Sequence, residues 1–262
     1  MLHRRIPAIS RRFAVGTLTL LALLGLWYIL TTLTGAVGPG RFPSPAQFGA
    51  AFTQIAIQGY GGAPLLVQAL HSLKLVVMGF AVAVAIGVPL GLAMGWSTRF
   101  EAFANPIFLV LRPIPPLAWI PLAIVWLGLG DTAKILVIFF AAFVPAVINT
   151  WTGVRNIDPT LVAAARVHGA SSRHLFTDVV LPGAMPMIFT GLRLSLQASW
   201  TTLVAAELVG AFFGLGRVLN LAYQDIYPAM IAVAMMAVGI LGAATTRLLA
   251  ELETRMTPWR QP

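Results

Sequence analysis

The sequence predicts an all-α integral membrane protein of about six transmembrane helices, and three observations carry that reading. Of its 262 residues, 58% are hydrophobic and only 10% are charged, against about a quarter charged in a soluble domain. So few charges cannot cover a globule that faces water. The apolar residues also fall in long uncharged runs, and crossing the hydrocarbon core of a bilayer takes about 20 such residues as a helix. Finally, the basic residues are divided unequally between the segments that separate those runs, as membrane orientation requires.

The first run, Phe13 to Leu33, follows Arg4, Arg5, Arg11 and Arg12. It is longer than the roughly 7–15 residues of a secretory signal core, so an uncleaved anchor is expected within residues 1–35. Further spans are expected at Leu70 to Trp96, Pro106 to Leu127, Ala133 to Trp151, Pro186 to Leu208 and Tyr227 to Thr246. With the N-terminus inside, the inner segments hold Arg4, Arg5, Arg11, Arg12, Arg99, Arg155, Arg166, Arg173, Arg247, Arg255 and Arg260, which is 11 of the 17 basic residues. The opposite side holds Arg41 and Arg217. This asymmetry places both termini in the cytoplasm. It also accounts for the formal charge of +9 without invoking nucleic acid. The expected organisation is one membrane domain over residues 1–262, with core helices in 65–250 and a cytoplasmic loop at 155–186. The longest outer stretch, Thr34 to Gln68, has room for a short surface helix from Ala46 to Ile57.

Two spans carry packing signals. Gly79, Ala83, Gly87, Gly91 and Gly95 recur every fourth residue and put small side chains along one face. In lipid such a face lets a second helix approach closely; the alternative is the ordinary abundance of glycine in membrane helices. Pro113, Pro115, Pro116 and Pro121 fall within nine residues of the third span, and each removes an amide donor and disfavours a regular helix before it. Exposed carbonyls at membrane depth need protein or water around them, so this span is expected to be bent. It either lines a cavity or is a kink buried between helices.

The cytoplasmic interval is the most informative. Asp158-Pro159 reads as an N-cap with proline at the first helical position, Gly169 as a left-handed C-cap, and Ser171 or Ser172 as the cap of a second short helix that Leu181-Pro182 is expected to stop. Leu161, Ala164, Ala165, Leu175, Phe176 and Val179 supply apolar surface. The residues alone leave open a docking element or an ordered loop.

Ala163-Ala164-Ala165, three residues, Gly169, nine residues, then Val179-Val180-Leu181-Pro182 resembles the cytoplasmic motif of permease subunits of binding-protein-dependent ABC importers. Ala163 stands where that motif normally has glutamate, which removes one charge contact with the ATPase. Pro43-Ser44-Pro45, Ser72-Leu73-Lys74, Leu111-Arg112-Pro113-Ile114-Pro115, Trp126 through Asp131, Asn149-Thr150, Ala206-Glu207 and Gly214-Leu215-Gly216 are similar to the nitrate, sulfonate, taurine and bicarbonate branch. Lys74 replaces its more usual arginine. The resemblance implies a type I ABC importer fold of the methionine and molybdate permease kind. It implies that Ala163, Ala164, Ala165, Arg166, Gly169, Ala170, Ser171, Phe176, Val179, Leu181 and Pro182 form an ATPase-coupling loop. The implied partners are two ATPase subunits, a second copy of the permease, an extracytoplasmic solute-binding protein and the lipid of a bacterial inner membrane. The implied solute is a small anion such as a sulfonate, nitrate or bicarbonate, although the branch also includes vitamin-precursor carriers.

The remaining sites follow from cost. Ionisable groups at membrane depth are expensive and face protein or water. Arg112, Arg193 and Glu207, with Pro115 at the bend, are therefore candidates for the translocation pathway, against a purely structural pairing. The sequence has no Walker-type Gly-rich loop, no cysteine, no Gly-x-Ser-x-Gly and no convergent set of partners for His71, His168 or His174 that would hold a metal. No catalytic, cofactor or metal site is expected. An ion-coupled secondary transporter is the alternative reading, and it leaves the Gly169-to-Pro182 spacing unexplained.

Overall fold

The computed structural model describes residues 8–260. Arg4 and Arg5 lie outside the described residues, and so do the side chains of Arg11, Arg12 and Arg260. Helices account for most of the chain, and the described residues include no strand. In order these are α1 (Ala8–Tyr28), continued by a π turn at Ile29–Leu33; α2 (Pro45–Ile57); α3 (Leu65–Trp96); α4 (Thr98–Leu111); α5 (Trp119–Leu127); and α6 (Asp131–Arg155). There follow α7 (Pro159–Val167), α8 (Ser172–His174), a π turn at Leu175–Val180, α9 (Leu181–Gly210), α10 (Leu215–Gln224) and α11 (Pro228–Met256).

Five helices are long and apolar enough to cross a membrane, or six when α4 and the Pro116–Leu127 segment count as one broken span. That pair bends by 72°, the bend the prolines demand. Pro113, Pro115 and Pro116 cannot donate, and the turn closes instead through Ile114 N–H to Leu111 O (3.2 Å) and Ala118 N–H to Pro115 O (2.9 Å). Pro121 is tolerated because it falls in the first turn of α5, where amides lack intrahelical partners anyway. The helices run past the expected apolar limits at several ends: α3 starts at Leu65 and α11 continues to Met256. Polar residues extend a helix beyond the hydrocarbon without changing its apolar core.

The core of the bundle is α6, held between α3 and α9. The small-residue face of α3 packs on α6 in parallel register, Gly79 against Ile138, Gly87 against Ala146, Gly91 against Thr150 and Gly95 against Val154. A Cβ at Gly95 would lie 2.4 Å from the Val154 Cβ, and one at Gly79 2.5 Å from the Ile138 Cγ2. Only hydrogen fits at these positions. On the other side α9 runs antiparallel to α6. There Gly153 meets Met187, Gly191 meets Asn149, and the Ser195 hydroxyl donates to Ala142 O at 2.6 Å. Glycines on both helices bring backbones close where burial of apolar surface alone drives association weakly.

One expectation fails. Leu181-Pro182 does not stop the second short helix; α8, the π turn and α9 form a single span from Ser172 to Gly210. The π turn accommodates the proline by moving the hydrogen bonding one register wider, with Leu181 N–H reaching Phe176 O. The missing amide of Pro182 then falls within a step already out of α-helical register.

At the far end from α7, α2 begins with a capping box. Ser44 accepts from Gln47 N–H, and the Gln47 side chain accepts from Ser44 N–H. Ala51 and Ile55 bury against Val218, Ala222 and Met230, so α2, α10 and the start of α11 form one cap over the bundle.

Candidate coupling surface and buried polar cluster

The α7 knob is built as its sequence suggests, up to Leu175. Asp158 accepts from Thr160 N–H at 2.8 Å, and those hydrogen bonds hold its carboxyl below the ordinary aspartate value. Pro159 takes the first helical position. The helix closes in a Schellman motif, with Gly169 N–H to Arg166 O at 2.9 Å and Ala170 N–H to Ala165 O at 3.0 Å. Gly169 adopts φ +80°, a conformation costly for any side chain with a Cβ. Ser171 caps the next turn through His174 N–H. On the outer surface of this bend Ala163, Ala164, Arg166, Gly169 and Ser171 are exposed, while Ala165 and Ala170 are half-buried. Leu161 is 58% and Val167 85% exposed.

Phe176, Val179, Leu181 and Pro182 lie behind that surface, half-buried. Phe176 packs edge-on against Trp96, ring centroids 5.3 Å apart, and Leu181 joins it around Val154, Val180 and Ala184. The eleven loop residues therefore divide into an exposed face and a set that fastens it to α3, α6 and α9. An Arg155–Glu101 ion pair ties the base of the knob to α4.

The four pathway candidates are not brought together. Arg112 and Pro115 are exposed at the break between α4 and α5. Arg193 pairs with Glu253 of α11. It also belongs to a stripe absent from the sequence expectations: Thr190, Arg193, Gln197 and Thr201 are all exposed on one side of α9. Their spacing of three or four residues was the available signal.

Glu207 sits elsewhere and is 1% exposed. Its carboxylate accepts from the Ser72 hydroxyl at 2.8 and 3.1 Å and from Gly216 N–H at 2.7 Å. Ser72 Oγ in turn accepts from Leu215 N–H at 2.9 Å, and Gln68 Oε1 accepts from Gly214 N–H at 2.6 Å. Three side chains from α3 and α9 thus take up the first amides of α10, where a carboxylate is favoured by the helix dipole. Gly214 is at φ +121°, and a Cβ there would lie 2.1 Å from the Glu207 Oε1. Glu207 thus pins the start of α10 to α3 and α9 from a buried position. Gln68 and Ser72, one turn apart and polar in an apolar helix, were the missed signal. Lys134 is also buried, with its ammonium 3.5 Å from the Asp131 carboxylate, which lies 3.1 Å from the His71 ring. Among the described residues no group of three or more His, Cys, Asp or Glu side chains could hold a metal ion.

Residues 87–257 match the family described as binding-protein-dependent transport system inner membrane component. The taurine transport system permease protein of Escherichia coli is 36% identical over 252 residues, covering 96% of this chain and 91% of that one. The nitrate import permease protein of Synechocystis is 35% identical, covering 91% and 87%. The bicarbonate transport system permease protein of Synechococcus elongatus is 39% identical, covering 71% and 67%. Among solved structures, a chain of the MetNI methionine ABC transporter in an inward-facing conformation superposes with a TM-score of 0.59 at 22% identity, covering 76% of this chain and 96% of that one, and supports the type I fold. The chain therefore belongs to the family of binding-protein-dependent transport system inner membrane components, the multi-pass permeases of ABC transporters.

Proposed function

We propose that this permease forms the pathway of an ATP-driven importer for a small anion, of the sulfonate, nitrate or bicarbonate kind, in a bacterial inner membrane with both termini in the cytoplasm. Two copies pair around the pathway, an external binding protein delivers the solute, and two separate ATPase subunits supply the work. The names of the taurine, nitrate and bicarbonate relatives support the solute class.

The observation that carries the reading is the exposed α7 face. Leu161 and Val167 stand out on a helix whose two ends are capped and whose base is fastened by Phe176 and Leu181. A firmly held knob with apolar side chains turned outward suits insertion into a groove on another protein. The pathway reading draws on the α9 stripe. At membrane depth the polar side chains Thr190, Arg193, Gln197 and Thr201 favour water or another protein over lipid. In this arrangement Arg193 offers a positive charge that Glu253 partly neutralises.

Isolation of the tagged full chain from its native membrane is expected to retain a nucleotide-hydrolysing subunit, and Gly169→Val is expected to lose it. Purification as a self-sufficient, ion-driven transporter would defeat the proposal. Arg193→Ala is expected to reduce anion uptake more than membrane insertion; unchanged uptake at normal expression removes Arg193 from the pathway.

A further inference from the structure

We infer that the crevice between α1 and α11 is a binding site for one anionic phospholipid, with its phosphate on Arg41 and an acyl chain along the apolar wall. The inference is independent of the transport reading.

Two adjoining cavities form the crevice, of about 370 and about 350 Å³. They share Phe42 and Ala232 and so make one groove. The mouth of the first carries Arg41, Tyr223 and Tyr227, beside Ile231 and Met235. The second is lined by apolar side chains throughout, among them Leu20, Leu24, Phe48 and Met236, and by the ring of Trp27. One cation at one end and hydrocarbon along the rest is the pattern of a headgroup and its tail.

The way α1 is held explains why the groove exists. From Phe13 to Leu26 its side chains stay largely open, with Leu20 63% and Leu24 54% exposed. It is fastened near its end, where Trp27 Nε1 donates to Pro43 O at 2.8 Å and its ring lies edge-on to Phe42 and Phe48. Below that fastening the leucine-rich face of α1 and the Ala232 and Met236 face of α11 gain little by closing on each other in preference to an acyl chain, because lipid tails are as apolar as they are. Tyr223 and Tyr227 at the mouth are of the residue type that settles at headgroup depth.

Arg41 makes no ion pair or side-chain hydrogen bond among the described residues. Asp225, beside Ile226 in sequence, accepts from the Tyr60 hydroxyl and forms no ion pair with Arg41. An anionic headgroup is thus the complementary occupant. A second copy of this chain, with its formal charge of +9, is a poorer electrostatic match.

Native mass spectrometry of the full chain released from bilayers of phosphatidylglycerol and phosphatidylcholine tests this. The expected result is one retained phosphatidylglycerol, preferred about fivefold over phosphatidylcholine, as one cation near a membrane surface predicts. Arg41→Ala should abolish the preference, Arg41→Lys should keep it, and Arg247→Ala, at the opposite end of α11, should leave it unchanged. Ala232→Trp should expel the lipid by filling the groove. Equal retention of both lipids, or a preference indifferent to Arg41→Ala, overturns the inference. So does removal of the lipid by inorganic phosphate at matched concentration, which assigns Arg41 to a soluble anion. If Ala232→Trp breaks self-association while phosphatidylglycerol retention stays intact, the groove is a subunit interface and the inference also falls.

Discussion

The α3–α6–α9 core and the α7 knob solve opposite problems with the same residue. In the core, glycine removes volume: at Gly79, Gly91 and Gly95 an added Cβ would sit within 2.7 Å of a neighbouring helix. In the knob, Gly169 supplies a backbone angle, and a Cβ there would meet nothing within 4 Å. The core is finished within the chain, down to hydrogen bonds such as Ser195 to Ala142. The knob is capped and braced yet leaves Leu161 and Val167 outside. Glycine spacing thus marks where these helices close upon one another, while Gly169 turns the chain at a surface that stays open.

Substitutions can break this contrast, the largest effect being expected in the core. At Gly91 a Cβ would lie 2.7 Å from both the Thr150 Cβ and the Val147 carbonyl oxygen. Because one of these is backbone, Gly91→Val is expected to destabilise by about 3 kcal/mol, the upper range for overpacking, read as a lower melting temperature of the purified chain in detergent. Next comes the polar pin. Glu207→Ala strands the Gly216 amide and the Ser72 hydroxyl and is expected to cost about 2 kcal/mol, whereas Glu207→Gln, which keeps an acceptor, should recover part of it in the same melt. Gly169→Val should cost about 1 kcal/mol locally. Its melting temperature should stay near that of the parent chain while retention of the hydrolysing subunit falls. Equal losses of melting temperature for Gly91→Val and Gly169→Val would erase the distinction between the two regions.

The smallest effect sharpens the knob alone. Asp158 titrates lower in the folded chain because it accepts from Thr160. The cap therefore contributes fully above the ordinary aspartate value of 3.8 and is lost as pH falls through the lowered folded value. The amide protection factor at Thr160 should fall in strongly acidic solution in the parent chain. It should be low at every pH in Asp158→Ala.

Much of this was legible in the sequence, for identifiable reasons. Apolar length and glycine period report helix existence and packing face, so the spans and the α3 stripe could be read directly, as could Asp158 and Gly169, whose roles are local. Pro182 was misread because a proline's effect depends on the hydrogen-bond register around it, and the π turn at Leu175–Val180 is set by packing of Leu175 and Phe176 against the bundle. The partners of Glu207 lie on α3 and α10, 135 residues back in the case of Ser72, and no local pattern links them. Arg193 and Glu253 are separated in the same way, by 60 residues.

The unbroken span from Ser172 to Gly210 has a mechanical consequence. At about 1.5 Å rise per residue its 39 residues measure about 58 Å, nearly twice the thickness of the hydrocarbon. A tilt of one degree of the whole element about its base therefore sweeps the opposite tip sideways by about 1 Å. Pro182, which would interrupt a regular α-helix, lies instead inside this continuous span, so the exposed bend after α7 and the far end of α9 belong to one helical element.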